Sequence, residues 1–136
     1  SRFAGTICVT ASFDRVDFHE PIELGEIVTC IGRVTYVGRT SVEVTIQVYA
    51  EHVTKATHRH TNTARVTMVA IDDQHRPVEV PRLICETIED KVGFLEGRLR
   101  REIRGRQREE FDRLAESLRH KTEPELDALM TSNSLL

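Results

Sequence analysis

Along residues 7–18, ICVTASFDRVDF, Ile7, Val9, Ala11 and Phe13 fall on one alternating set. This period of two predicts a half-buried β-strand. Pro21 and Gly25 interrupt the pattern, and IVTCIGRVTYVG then predicts a second strand that stops at Gly38. In the third, Val42, Val44, Ile46 and Val48 point one way, while Glu43, Thr45, Gln47 and Tyr49 point to a wetter face. A polar segment, HVTKATHRH, separates it from a fourth strand, TNTARVTMVAID, which the turn-rich DDQHRP ends. The short links predict an antiparallel meander, because parallel crossovers need a dozen or more residues each.

After Pro81 the period changes. Ile88, Val92, Leu95, Leu99 and Ile103 are spaced by four, three, four and four, the stripe of an amphipathic helix starting at about residue 86. Gly105 lowers helix propensity by about 1 kcal/mol relative to Ala, which predicts a break or bend there before the stripe resumes at Phe111, Leu114 and Leu118. The expected organisation is one α+β domain over 1–120 and a flexible tail over 121–136, with a short helical fragment around Leu126 to Met130.

Composition narrows the class. A chain of 136 residues, 39% hydrophobic and 30% charged, can bury a real core and is not a disordered polymer. A net charge of -3 gives no global attraction to nucleic acid or anionic lipid, so any polyanion site must be local. Cys8, Cys30 and Cys85 fit neither a disulfide framework nor a metal spacing, and read as buried free thiols of a reducing compartment. With no run near the roughly 20 apolar residues of a membrane span, and no signal-peptide core, a cytoplasmic protein with no membrane partner is expected.

Three stretches carry candidate chemistry. GRTS, residues 38–41, offers a backbone able to approach a ligand, a five-donor guanidinium and two hydroxyls, a set suited to phosphate. The plainer alternative is a hairpin whose hydroxyls satisfy local backbone. GRLRREIRGRQR, residues 97–108, holds six arginines and one glutamate, a local balance of +5. It is either a solvated helix face with Glu partners or a phosphate-holding patch. No aromatic lies between Phe94 and Phe111, which argues against single-stranded nucleic acid as a partner. His19 beside Glu20 has the chemistry for proton transfer but more commonly serves structure, and His58 and His60 share a strand face without a third metal ligand.

Taken together, VTAS, DFHEP, GRTS, NTA and VAID, in that order from Thr6 to about Leu83, resemble the hotdog-fold acyl-CoA thioesterases of the cytosolic long-chain and broad-specificity bacterial type. The resemblance implies an antiparallel sheet wrapped around a central helix, a homodimer or higher homo-oligomer up to a hexamer, and active sites at the dimer seam. It also implies hydrolysis of fatty acyl-CoA to free fatty acid and coenzyme A, with no cofactor and no metal. A non-catalytic acyl-CoA-binding or regulatory module is the alternative. By the same resemblance Thr10, Ala11, Ser12, Arg39, Thr40 and Ser41 are coenzyme A contacts. Arg101 matches a basic helix position near the nucleotide, with Arg98 and Arg104 as helical neighbours able to take its role.

One feature departs from that family. Its catalytic carboxylate lies on the central helix, residue 1 falls after that helix, and no position here matches it. The catalytic residue is therefore unassigned, and Asp14, Asp17 and Glu20 do not take its place. The sequence accordingly reads as lacking the N-terminal strand and central helix, which leaves the apolar strand faces to be covered by the C-terminal helix or another chain.

Overall fold

The computed structural model describes residues 2–14 and 16–136. Among the described residues, five strands precede two helices: β1 (Ile7–Phe13), β2 (Asp17–Phe18), β3 (Ile27–Val37), β4 (Ser41–His52), β5 (Thr57–Ile71), α1 (Ile88–Arg119) and α2 (Glu123–Met130). They divide into two compact units, Ser1–Arg98 and Leu99–Leu136.

All five strands form one antiparallel sheet in the order β1-β5-β4-β3, with β2 pairing β5 beyond β1. The meander expected from the short links holds for β3, β4 and β5. It fails for β1, which pairs β5 and not β3. Alternation fixes which side chains share a face but says nothing about which strand lies alongside. The fourth strand also starts earlier than its apolar run, because Thr57 to His60 pair with β4 despite their polarity.

Val42, Val48, Ala50, Val66 and Ala70 are buried on β4 and β5. Glu43 is buried too, at 2% exposure, contrary to its assignment to the wetter face. The reason is α1, whose Gly97 backbone lies against Tyr36 and Glu43, while Phe94 packs on the Tyr36 ring at 5.0 Å between centroids. The cysteines also depart from expectation, since Cys30 is exposed and Cys8 and Cys85 are only half-buried.

A reciprocal cap begins α1. The Thr87 hydroxyl accepts from the Asp90 amide, and the Asp90 carboxylate accepts from the amides of Thr87 and Glu86. These bonds hold the Asp90 carboxyl below its usual range. The helix then continues through Gly105 without the predicted break, since a single glycine costs too little to end a helix of 32 residues. In the second unit, Glu125 accepts from the amide and hydroxyl of Thr122, starting α2 within residues 121–136.

Candidate coenzyme A site

Across β5, the pairing register brings two of the predicted stretches to one end of the sheet. Val9 of β1 pairs Val69 of β5, and Val69 pairs Ser41 of β4 on its other side. Thr10 pairs Met68, which pairs Val42. Thr10 and Ser12 therefore flank Met68 and Thr67 of β5 on one side, while Ser41 flanks the adjoining Val69 on the other. At a strand spacing of about 4.8 Å, their backbones run roughly 10 Å apart. The register shifts between Thr10 and Ser12, so Ala11 is the extra residue of a bulge, the device by which a strand re-aims its side chains. Thr10 and Ala11 are exposed and Ser12 is half-buried.

In the β3–β4 turn, Gly38 donates to the Ser41 carbonyl at 2.8 Å, the Thr40 carbonyl accepts from Ala70 at 2.9 Å, and the Arg39 carbonyl accepts from Val80 at 2.9 Å. With these backbone groups spent on the fold, the guanidinium and the two hydroxyls are the side-chain groups the turn still offers a ligand. Positive φ among described glycines occurs at Gly5 and Gly25, so the turn is made without a left-handed Gly38. Arg39 is exposed, with Glu79 as an equally exposed partner at 3.8 Å, an ion pair that costs little to exchange for a phosphate.

Similarity to known proteins decides the family. Residues 1–57 match the Thioesterase superfamily. The cytosolic acyl coenzyme A thioester hydrolase of Rattus norvegicus is 33% identical over 100 residues, covering 72% of this chain and 26% of the rat protein. The crystal structure of an acyl-CoA hydrolase from Bacillus cereus is 37% identical with a TM-score of 0.74, covering 84% of this chain and 70% of that one. That of a hexameric acyl-CoA thioesterase is 33% identical with a TM-score of 0.72, covering 77% and 67%. The chain belongs to the thioesterase superfamily. Its antiparallel sheet followed by a long C-terminal helix is that of the hotdog-fold acyl-CoA hydrolases. It spans about a quarter of the length of the rat relative.

The rest of the sheet holds features that sequence reasoning did not find. Arg59 of β5 donates to Glu20 at 2.7 Å, to both carboxylate oxygens of Glu26 at 2.6 and 3.2 Å, and to the Pro21 carbonyl at 3.0 Å. It pins the whole segment between β2 and β3. The Arg59 hydrogen bonds hold the Glu26 carboxyl down at about 2. Beside it, Val48 pairs Asn62 and Tyr49 pairs His60, leaving Thr61 as a bulge residue whose carbonyl accepts from both His19 and Glu20. Three small polar residues in a row, TNT, were the available signal for that irregularity.

The remaining candidates divide. His58 and His60 do share a face, with Tyr49 stacked on His58 at 5.1 Å and tilted against His60 at 5.2 Å. His19 lies 5.5 Å from His60, which assigns it to a ring cluster at the opposite end of β5 from Thr10. Among the described residues, no three His, Cys, Asp or Glu side chains form a group able to hold a metal ion, and no helix is long and apolar enough to cross a membrane. Arg101 and Arg104 lie on the part of α1 in the second unit, and Arg98 closes the first unit.

Proposed function

We propose that this chain serves an acyl-CoA thioesterase, an enzyme that hydrolyses fatty acyl-CoA to free fatty acid and coenzyme A. The observation that carries the proposal is the placement of Thr10, Ala11 and Ser12 across β5 from Arg39, Thr40 and Ser41 in a chain of this superfamily. Hydroxyls and exposed backbone on β1 suit the amide-bearing pantetheine arm, which needs hydrogen-bond partners along an extended path. The Arg39 fork, with the Thr40 and Ser41 hydroxyls, suits the phosphates. Arg101 on α1 is the proposed partner of the nucleotide end. Binding that large, unreacting part of the substrate is how such a site positions a thioester for attack by water. The proposal includes no cofactor or metal, a cytoplasmic location and a homo-oligomer, the last in keeping with the hexameric relative.

A second reading is favoured by what the seam lacks. Thr10 to Ser12 and Arg39 to Ser41 include no carboxylate or imidazole to activate water, so a non-catalytic acyl-CoA-binding module would present the same surface. The experiment is hydrolysis of an acyl-CoA panel by this chain, alongside calorimetric titration with coenzyme A. Hydrolysis with binding supports the thioesterase, binding without turnover supports the module, and the absence of both overturns the two readings together.

A further inference from the structure

α1 meets the sheet through the wrong side for a conventional amphipathic helix. Phe94 and Gly97 face inward, Phe94 on the Tyr36 ring and Gly97 buried against Tyr36 and Glu43. The apolar stripe lies on the opposite side, about half a helical turn away. It is left in water: Ile88 is 81% exposed, Val92 48%, Leu95 59%, Leu99 55% and Ile103 44%. Scattered exposed leucines need no explanation, but five large apolar side chains in one row along a continuous helix do.

We propose that this stripe is an interface between two copies of the chain, whose α1 helices pair antiparallel about a two-fold axis beside Leu95. Two features of the helix select that occupant. The first is spacing. An axis between residues 95 and 96 places Ile88 opposite Ile103 of the second copy, and Val92 opposite Leu99, while Leu95 meets its own counterpart. Every member of the stripe then has an apolar partner. The second is charge. Residues 86–96 carry Glu86, Glu89, Asp90 and Glu96 against Lys91, whereas residues 97–108 carry six arginines and one glutamate. An antiparallel pair lays the acidic half of each helix along the basic half of the other, bringing Glu89 towards Arg100 of the second copy. A parallel pair would set like charges alongside and is disfavoured.

The test starts from a chain with Cys8, Cys30 and Cys85 replaced by serine. Ile88→Cys and Ile103→Cys are prepared separately, then mixed and mildly oxidised. The expected result is a disulfide-linked dimer from the mixture and none from either variant alone. Sedimentation of Leu95→Glu is expected to show at least a twofold lower mass with an unchanged helical circular dichroism signal. Cross-linking within Ile88→Cys alone would overturn the antiparallel arrangement. A mixture that does not cross-link, together with an unchanged mass for Leu95→Glu, would overturn the interface. If the unchanged chain then sediments with phosphatidylcholine vesicles and Leu95→Glu does not, the stripe belongs to a lipid surface and the proposal is equally overturned.

Discussion

Gly97 of α1 lies against Tyr36 of β3 with no space for a side chain between them. A Cβ built on Gly97 would come within 3.0 Å of the Tyr36 ring carbon Cγ and 3.1 Å of Glu43 Oε1, and would overlap Tyr36 Cβ. Two effects oppose each other in Gly97→Ala. Helix propensity favours Ala by about 1 kcal/mol, whereas forcing atoms into a packed contact costs roughly 1–3 kcal/mol. Because the clashing atoms include a Cβ that cannot swing away, the second is expected to win and the thermal midpoint to fall. Gly105→Ala provides the control, since nothing lies within 4 Å of its Cβ position. There the propensity gain stands alone and the midpoint is expected to rise. A pair of thermal melts checks both signs, and a rise for Gly97→Ala would contradict the close approach.

Burying Glu43 leaves a carboxylate that needs donors, and a bulge in β3 supplies one. The register shifts between Val34 and Tyr36, which makes Thr35 the extra residue. Its hydroxyl lies 3.1 Å from Glu43 Oε1 and 2.9 Å from the Thr45 hydroxyl. Thr35→Val keeps the shape and removes the donor. Since depriving a buried acceptor of a hydrogen-bond donor costs about 1–3 kcal/mol, a loss of that order is expected in urea unfolding. Thr35→Ser should recover most of it. Equal stability of the Val and Ser variants would show that the hydroxyl contributes nothing to holding Glu43.

The strands were legible because their side chains alternate, and this physical signal survives without knowledge of the neighbours. What alternation omits is everything a neighbour decides. The burial of Glu43 depends on a helix that starts 45 residues later, and the place of β1 beside β5 depends on a pairing 64 residues apart at Ile7 and Ile71. The candidate site was legible as two local stretches, each recognisable by its own residues, and the register adds that they flank one strand. The Arg59 clamp was not legible, because an arginine between two histidines in a polar segment gives no sign of acids 39 and 33 residues away. The apolar stripe of α1 was read correctly as a stripe. Its orientation was not legible, because a helix with a glycine such as Gly97 on its other side can pack by backbone approach instead of by its large side chains.

The clamp itself gives a pH-dependent prediction. The Glu26 side chain is 1% exposed and bonded through both oxygens to Arg59, and its carboxyl is held at about 2 against an ordinary value of 4.5. A carboxyl whose pKa is depressed on folding binds its proton more readily in the unfolded chain. It therefore contributes stability that is fully present above pH 4.5 and is lost as the pH falls towards 2. Arg59→Met should lower the thermal midpoint by several degrees at neutral pH, with the gap to the parent closing across that window. Melts at pH 7, 4 and 2.5 give the comparison. A gap that stays constant with pH would mean that Arg59 acts by packing and not through Glu26.

Arg39 is the residue on which the coenzyme A reading can be tested without any catalytic activity. It is 75% exposed and its partner Glu79 is 76% exposed, so the pair adds little to stability, and Arg39→Ala should leave the thermal midpoint within error of the parent. A ligand phosphate would gain a two-pronged, charge-assisted contact that Glu79 at 3.8 Å does not make. Losing about 1.5 kcal/mol of such contact corresponds to roughly a tenfold weaker dissociation constant for coenzyme A. Glu79→Gln should act in the opposite direction, because it removes an acid that competes for the guanidinium and repels the phosphate. Opposite shifts of the two variants in calorimetric titration, at unchanged stability, are the expected signature of a phosphate bound at this turn. Equal affinities for both variants and the parent would place the coenzyme elsewhere on the sheet and leave GRTS as a hairpin whose hydroxyls serve only the fold.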